Sequence, residues 1–246
     1  MYHSVNFTLP GKWTVNSHDT FHLVPDGRPV ISMPEPVTNF VEVPGASGML
    51  DMSDSITGYP LYGGREGSLS FIVLNDYTGN NTWVSRLQNI TTFIHGRRLE
   101  LSLEDDPFYF YEGRFNVESW ESPSDGGNST VSIGYSLDPY KYWQQKVISM
   151  FNLTGSRITV KYSAMLGNLG TMPTVPTIEV LSVSNNITIE ASNPGLYSGN
   201  LTHTVSRAAT YQFQDIVFMD RDRDNECSLS MTGTGTVRVT IQNGDI

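Results

Sequence analysis

The sequence predicts an all-β protein carrying one short amphipathic helix, and three observations lead there. Short runs of β-branched and aromatic residues recur along the chain, each bounded by Gly, Pro, Asn or Asp. Charged residues make up only 16% of the sequence while Gly, Ser, Thr, Asn and Pro are plentiful. That mix suits strands joined by turns better than helix bundles, which draw on Ala, Glu, Lys and Leu. Finally, a single segment stands out for having its apolar residues at helical spacing.

Taken in order, strands are expected at 68–74, 108–111, 130–135, 158–162, 177–180, 216–219 and 236–241. Their alternation sets one face on a core and the other in solvent. The helix is expected where Trp83, Leu87, Ile90 and Ile94 fall on one stripe, with Asn81 or Thr82 as its cap and Gly96 ending it. Its simplest role is to cover one face or edge of a sheet. Near residue 142 an aromatic, turn-punctuated block gives way to a leaner stretch rich in Thr, Ser and Asn. That shift predicts two β domains, 1–142 and 143–246. The prolines of 167–176 make that stretch extended and non-helical.

Composition also limits function. A net charge of −10 argues against sequence-independent nucleic-acid binding, which needs a basic face, though an acidic surface lets a duplex pass without sticking. Cys227 is the single cysteine, so no intrachain disulfide forms, and a buried spectator thiol is expected. No apolar run is long enough to span a bilayer, and residues 1–10 lack the basic start and apolar stretch of a secretory signal. A soluble protein made in a reducing compartment is therefore expected. Seven Asn-X-Thr triplets, at Asn6, Asn80, Asn89, Asn128, Asn152, Asn186 and Asn200, follow from the Asn- and Thr-rich composition, and Asn89 falls in the expected helix.

Catalytic readings find little support. Gly45-Ala46-Ser47-Gly48-Met49 lacks the second glycine in place for a nucleophile elbow. Of the histidines, only His18 and His22 stand at i, i+4, in a stretch that reads as strand and turn, where that spacing gives no shared chelate geometry. Glu104-Asp105-Asp106 could offer a glycosidase pair, but three acids ahead of Pro107 read more simply as a solvated turn. The 220–226 stretch fails the EF-hand pattern at Asn225 and Met231, leaving a β-type calcium site open. Gly233-Thr234-Gly235 precedes a strand instead of a helix, so it is no phosphate cradle. No catalytic, cofactor-binding or metal-binding residue is assigned.

Two stretches carry more than composition. One is 44–53 with Gly45 and Gly48, followed by Tyr59, Arg65 and the strand at 71–73. The other runs from Ile94, His95 and Gly96 through Asp106, Pro107, Tyr109, Tyr111, Gly113 and Arg114. Together with Asp138-Pro139-Tyr140-Lys141-Tyr142 they resemble the N-terminal domain of the siphophage distal tail protein family, prophage relatives included. The second half resembles that family's C-terminal galectin-like sandwich more loosely, with Gly233-Thr234-Gly235 as a turn into the last strand. The resemblance implies a β-sandwich or split-barrel-like ring domain followed by a galectin-like β-sandwich. It also implies a structural virion protein at the tail tip, assembled in the bacterial host cytoplasm. As a hexameric ring it would join tail tube and tape-measure proteins to the tail-tip hub and let DNA pass. The motif residues named above, with Asp138 and Pro139, then have structural or inter-subunit roles. The competing expectation is a carbohydrate-binding β-sandwich adhesion module, which would need exposed aromatic rings. A third, a secreted hydrolase, would need Glu104 or Asp106 for turnover.

Overall fold

In a computed structural model, residues 3–74, 82–122, 128–162, 170–194, 196, 198–219 and 227–246 are described. Asn81, Tyr197, the 163–169 stretch and the 220–226 acidic loop lie outside them. Among the described residues the chain is mainly β, with two helices. Contacts divide it into two units, Met1–Val37 with Tyr62–Tyr142, and Thr38–Leu61 with Trp143–Ile246.

The chain begins with β1 (Val5–Thr8), β2 (Thr14–Asn16), α1 (Ser17–Phe21) and β3 (Leu23–Pro25), then makes a hairpin of β4 (Phe40–Glu42) and β5 (Met49–Asp51). Next come β6 (Arg65–Val73), α2 (Trp83–Ile94), β7 (Arg97–Leu103), β8 (Asp106–Glu121) and β9 (Ser129–Trp143). In the first unit the strand order is β2-β1-β7-β8-β9-β6-β3. One face of this sheet is buried by Val5, Phe7, Leu69, Phe71, Val73, Leu99, Leu101, Phe115, Val131 and Ile133. Ile90 and Ile94 of α2 join that core, each adding about 2–3 kcal/mol of burial. The helix starts as expected: the Thr82 side chain accepts from the Ser85 N–H while Ser85 reaches back to the cap. Gly96, at φ 73°, follows its end.

Some local expectations give way. Trp83 is exposed and stacks on Trp120, while Arg86 takes the buried position and donates to the Leu74 carbonyl at the end of β6. The 17–21 stretch is a helix, because the Asn16 side chain accepts from the His18 and Asp19 N–H groups and His22 ends the turn in a left-handed conformation. Among the described residues no cluster of metal-binding side chains forms there or elsewhere.

In the second unit follow β10 (Val147–Thr154), β11 (Ile158–Lys161), β12 (Thr177–Ser192), β13 (Asn200–Val205), β14 (Ala209–Tyr211) and β15 (Ser228–Ile241). Strands β12 and β15 form one long antiparallel ribbon, and each half of it acquires its own neighbours. The C-terminal half of β15 pairs β10 and its N-terminal half pairs β11, while β12 pairs β14 and then β13. Residues from both halves, Val180 and Val237 with Ile189 and Met231, share one core, so the ribbon folds over on itself as a sandwich. The bend coincides with β-bulges between Val180 and Thr188. There Gly233 and Gly235 let β15 lie against β12: a Cβ would stand 2.5 Å from the Asn186 carbonyl and 2.2 Å from that of Ser182. The expected turn at 233–235 is thus the middle of a strand. The strand expected at 216–219 is irregular, with Phe218 bridging Thr174.

Candidate functional site

Two features of the fold carry the residues singled out in the sequence. The first lies across β7, β8 and β9. Alternation along β8 turns Tyr109, Tyr111, Gly113 and Phe115 to one face and Phe108, Phe110, Glu112 and Arg114 to the other. On the outer face Arg98 donates to Glu112 at 2.8 Å and to Asp138 at 2.6 Å, and Tyr142 donates to Asp138 at 3.3 Å. Glu112, then Asp138, hold the Arg98 guanidinium above its ordinary value. Burial, with Asp138 nearby, pushes the Tyr142 phenol well up. Lys141 donates to Asp106 at 3.1 Å and stands 4.1 Å from the Tyr109 ring centroid. Pro107 is exposed beside them.

Arg65 occupies the inner face, opposite Leu137, and is 2% exposed. Its Nε donates to the Pro139 carbonyl at 2.9 Å and its Nη1 to the Ser32 carbonyl at 2.8 Å, with the Tyr111 ring 5.4 Å away. Nη2 has no partner. Burial pulls the guanidinium below the usual arginine value and pushes the Tyr111 phenol up. The Tyr135 hydroxyl accepts from the Ser32 N–H. Arg65 and Tyr135 therefore clamp the backbone of Ser32 from both its N–H and its carbonyl.

The remaining motif residues are local ties. His95 Nδ1 accepts from the Val117 N–H, and the Gly96 carbonyl accepts from Arg114. Gly113 is pressed against β9, where a Cβ would meet the Ser136 carbonyl at 2.2 Å. The three consecutive acids point to separate partners: Glu104 to Ser4, Asp105 to His3 and Arg28, Asp106 to Lys141. Each carboxylate is engaged in a structural tie.

The second feature is the β4–β5 hairpin. Its stem is pinned where Pro36 bridges Tyr62 and the Gly63 N–H donates to the Glu35 carbonyl. Gly45 and Gly48, at φ 82° and 98°, make the turn between its strands. All six strand residues are exposed, among them Phe40 at 53%, Met49 at 60% and Leu50 at 52%. Val41 and Leu50 stand opposite each other on one face of the hairpin and Phe40 and Met49 lie on the other, so both faces expose apolar side chains. The sequence shows the apolar residues of this stretch but gives no sign that they stay outside the core.

Among the described residues of 143–246 no Phe, Tyr or Trp is fully exposed as a platform for a sugar. Phe213 stacks on His203 at 4.0 Å and on Tyr211 at 5.8 Å, and His203 is tied to Asp215 at 2.8 Å. The ring faces are spent on one another.

No known family profile matches the sequence, and no curated protein does. A solved structure does. The chain is similar to the SPP1 Dit (gp 19.1) protein, with a TM-score of 0.61 over 98% of this chain and 99% of that one. At 15% identity, the likeness is one of fold. The SPP1 protein is described as a paradigm of the hub adsorption apparatus in phages infecting Gram-positive bacteria.

Proposed function

We propose that this chain is a structural component of a long-tailed phage's tail tip, a hexameric distal ring between tail tube and hub. The observation that carries this reading is the end-to-end likeness in fold to SPP1 Dit, which spans both units instead of one widespread module. The motif residues support it by their use: they brace β7, β8, β9 and the stem of an exposed hairpin, with no reactive group set apart among them. The apolar hairpin gives such a protein a means of self-association. In this reading residues 1–142, the exposed hairpin among them, form the ring, and residues 143–246 follow as a galectin-like sandwich. Tail tube and tape-measure proteins lie on one side and the tail-tip hub on the other, in a virion assembled in the host cytoplasm.

Light scattering on the purified chain across a concentration series tests this. The expected result is a mass near six times 27.3 kDa, or stacked multiples of it. A monomer at every concentration, unchanged by a tail-tip neighbour, would overturn the reading.

A further inference from the structure

We infer that the β4–β5 hairpin of one copy adds to the free edge of β10 in the next copy, joining an acidic, apolar arm to a base-flanked, apolar strand by backbone pairing. This rests on the ring reading and specifies the contact that closes it.

β10 ends its sheet. Among the described residues it pairs with β15 alone, leaving one edge of eight residues open. An open edge is a template for another strand, and proteins usually blunt it with Lys, Pro or an inward charge. Val147–Thr154 carries no charge and no proline. Instead it presents Ile148, 61% exposed, and Met150, 56% exposed. The charges beside Met150 are closed on each other, Arg238 donating to Glu179 at 2.7 Å.

The hairpin has the complementary need. Its two strands, three residues each, pair with each other and, among the described residues, with no other strand. A lone two-stranded hairpin is marginal in water, and a third strand with an apolar face stabilises it. Charge supplies the match. Residues 29–64 contain Glu35, Glu42, Asp51 and Asp54 and no Lys or Arg, while residues 139–178 contain no Asp or Glu and four bases, of which Lys141 and Arg157 are closed on Asp106 and Glu190. Glu42 and Asp51 are exposed on the hairpin, and Lys146 is exposed beside the first residue of β10. Hydrogen bonds from Ser53 keep Asp51 below the usual carboxylate range, so it stays ionised. A contact between two different patches of identical chains uses one arm and one edge per copy, and a closed ring leaves neither over.

Full-length chains test the contact. An arm variant, Val41→Lys with Leu50→Lys, and an edge variant, Ile148→Lys with Met150→Lys, change exposed side chains only. Each alone is expected at 27.3 kDa by light scattering, a sixfold drop from the ring. Mixed one to one, they are expected to form a two-chain species, because one intact arm and one intact edge remain between them. As a second measurement free of added charge, a Leu50→Cys chain is expected to cross-link to a Met150→Cys chain when the two are mixed with a thiol oxidant such as diamide, which takes up the two electrons and two protons. An edge variant that keeps the full ring mass would leave the ring standing and overturn this contact. Variants that neither pair nor cross-link would overturn it too. A wild-type chain that never leaves the monomer would overturn the ring reading itself.

Discussion

Arg65 is the residue whose position most needs explaining. Nothing in the sequence marks it as buried, since its inward direction follows from the β6–β9 register, which places it opposite Leu137. A guanidinium in the interior without a carboxylate is costly, and here two backbone carbonyls and the Tyr111 ring offset that cost. Arg65→Ala leaves the Ser32 and Pro139 carbonyls unpaired beside a cavity and is expected to lower unfolding stability by about 3 kcal/mol in urea titrations. Arg65→Met fills the space without charge and should cost less. Equal stability of Arg65→Ala and wild type would show that the clamp is idle. Asp105 makes a second prediction, with a sign. Hydrogen bonds from His3, then Arg28, lower its carboxyl below the usual carboxylate range. A depressed folded value stabilises the protein above the ordinary carboxylate value of about 3.9, and that stabilisation fades as pH falls through the depressed value. Thermal melts of wild type should therefore exceed those of Asp105→Asn at pH 7. The gap should close in strong acid; a gap that widens on acidification would contradict the assignment.

At the level of elements, legibility followed the range of the interactions that fix them. The helix at 83–94 was readable because its cap, its stripe and its terminal glycine are all local. Strands such as Thr236–Ile241 showed their alternation, but their true extents did not show, because β12 and β15 run on through bulges that only their mutual pairing defines. The same pairing explains why 233–235 looked like a turn. Gly113 belongs to a motif legible in the sequence, yet its reason, the Ser136 carbonyl 2.2 Å from where a Cβ would stand, belongs to β9. Gly113→Ala forces β8 and β9 apart and is expected to lower stability by at least about 2 kcal/mol, or to abolish soluble expression. Thr82→Ala removes one reciprocal cap from α2 and should cost only about 1 kcal/mol. Chemical denaturation of both variants checks the order, and a Thr82 variant worse than the Gly113 variant would reverse the argument about which contact the unit depends on.

For the molecule as a whole, the apolar content of the hairpin and of β10 is visible in the sequence, whereas their exposure emerges only once everything else has found its core. The separation of charge along the chain, acids in 29–64 and bases in 139–178, was equally visible and acquires meaning only beside that exposure. Net charge decides a different question. At −10 per copy the surface repels phosphate, and several of its basic groups are already engaged: Arg28 with Asp105, Arg98 with Glu112 and Asp138, Arg157 with Glu190, Arg238 with Glu179. Duplex binding requires several cations gathered on one face, each displacing a counterion, and its strength falls steeply with salt. A ring that lets DNA pass should therefore leave the electrophoretic mobility of linear duplex DNA unchanged even at roughly 50 mM salt, where non-specific binding is strongest. Retardation that weakens as salt is raised would mean that assembly gathers Lys and Arg onto a shared face, and a passage lined that way would hold the duplex instead of letting it slide.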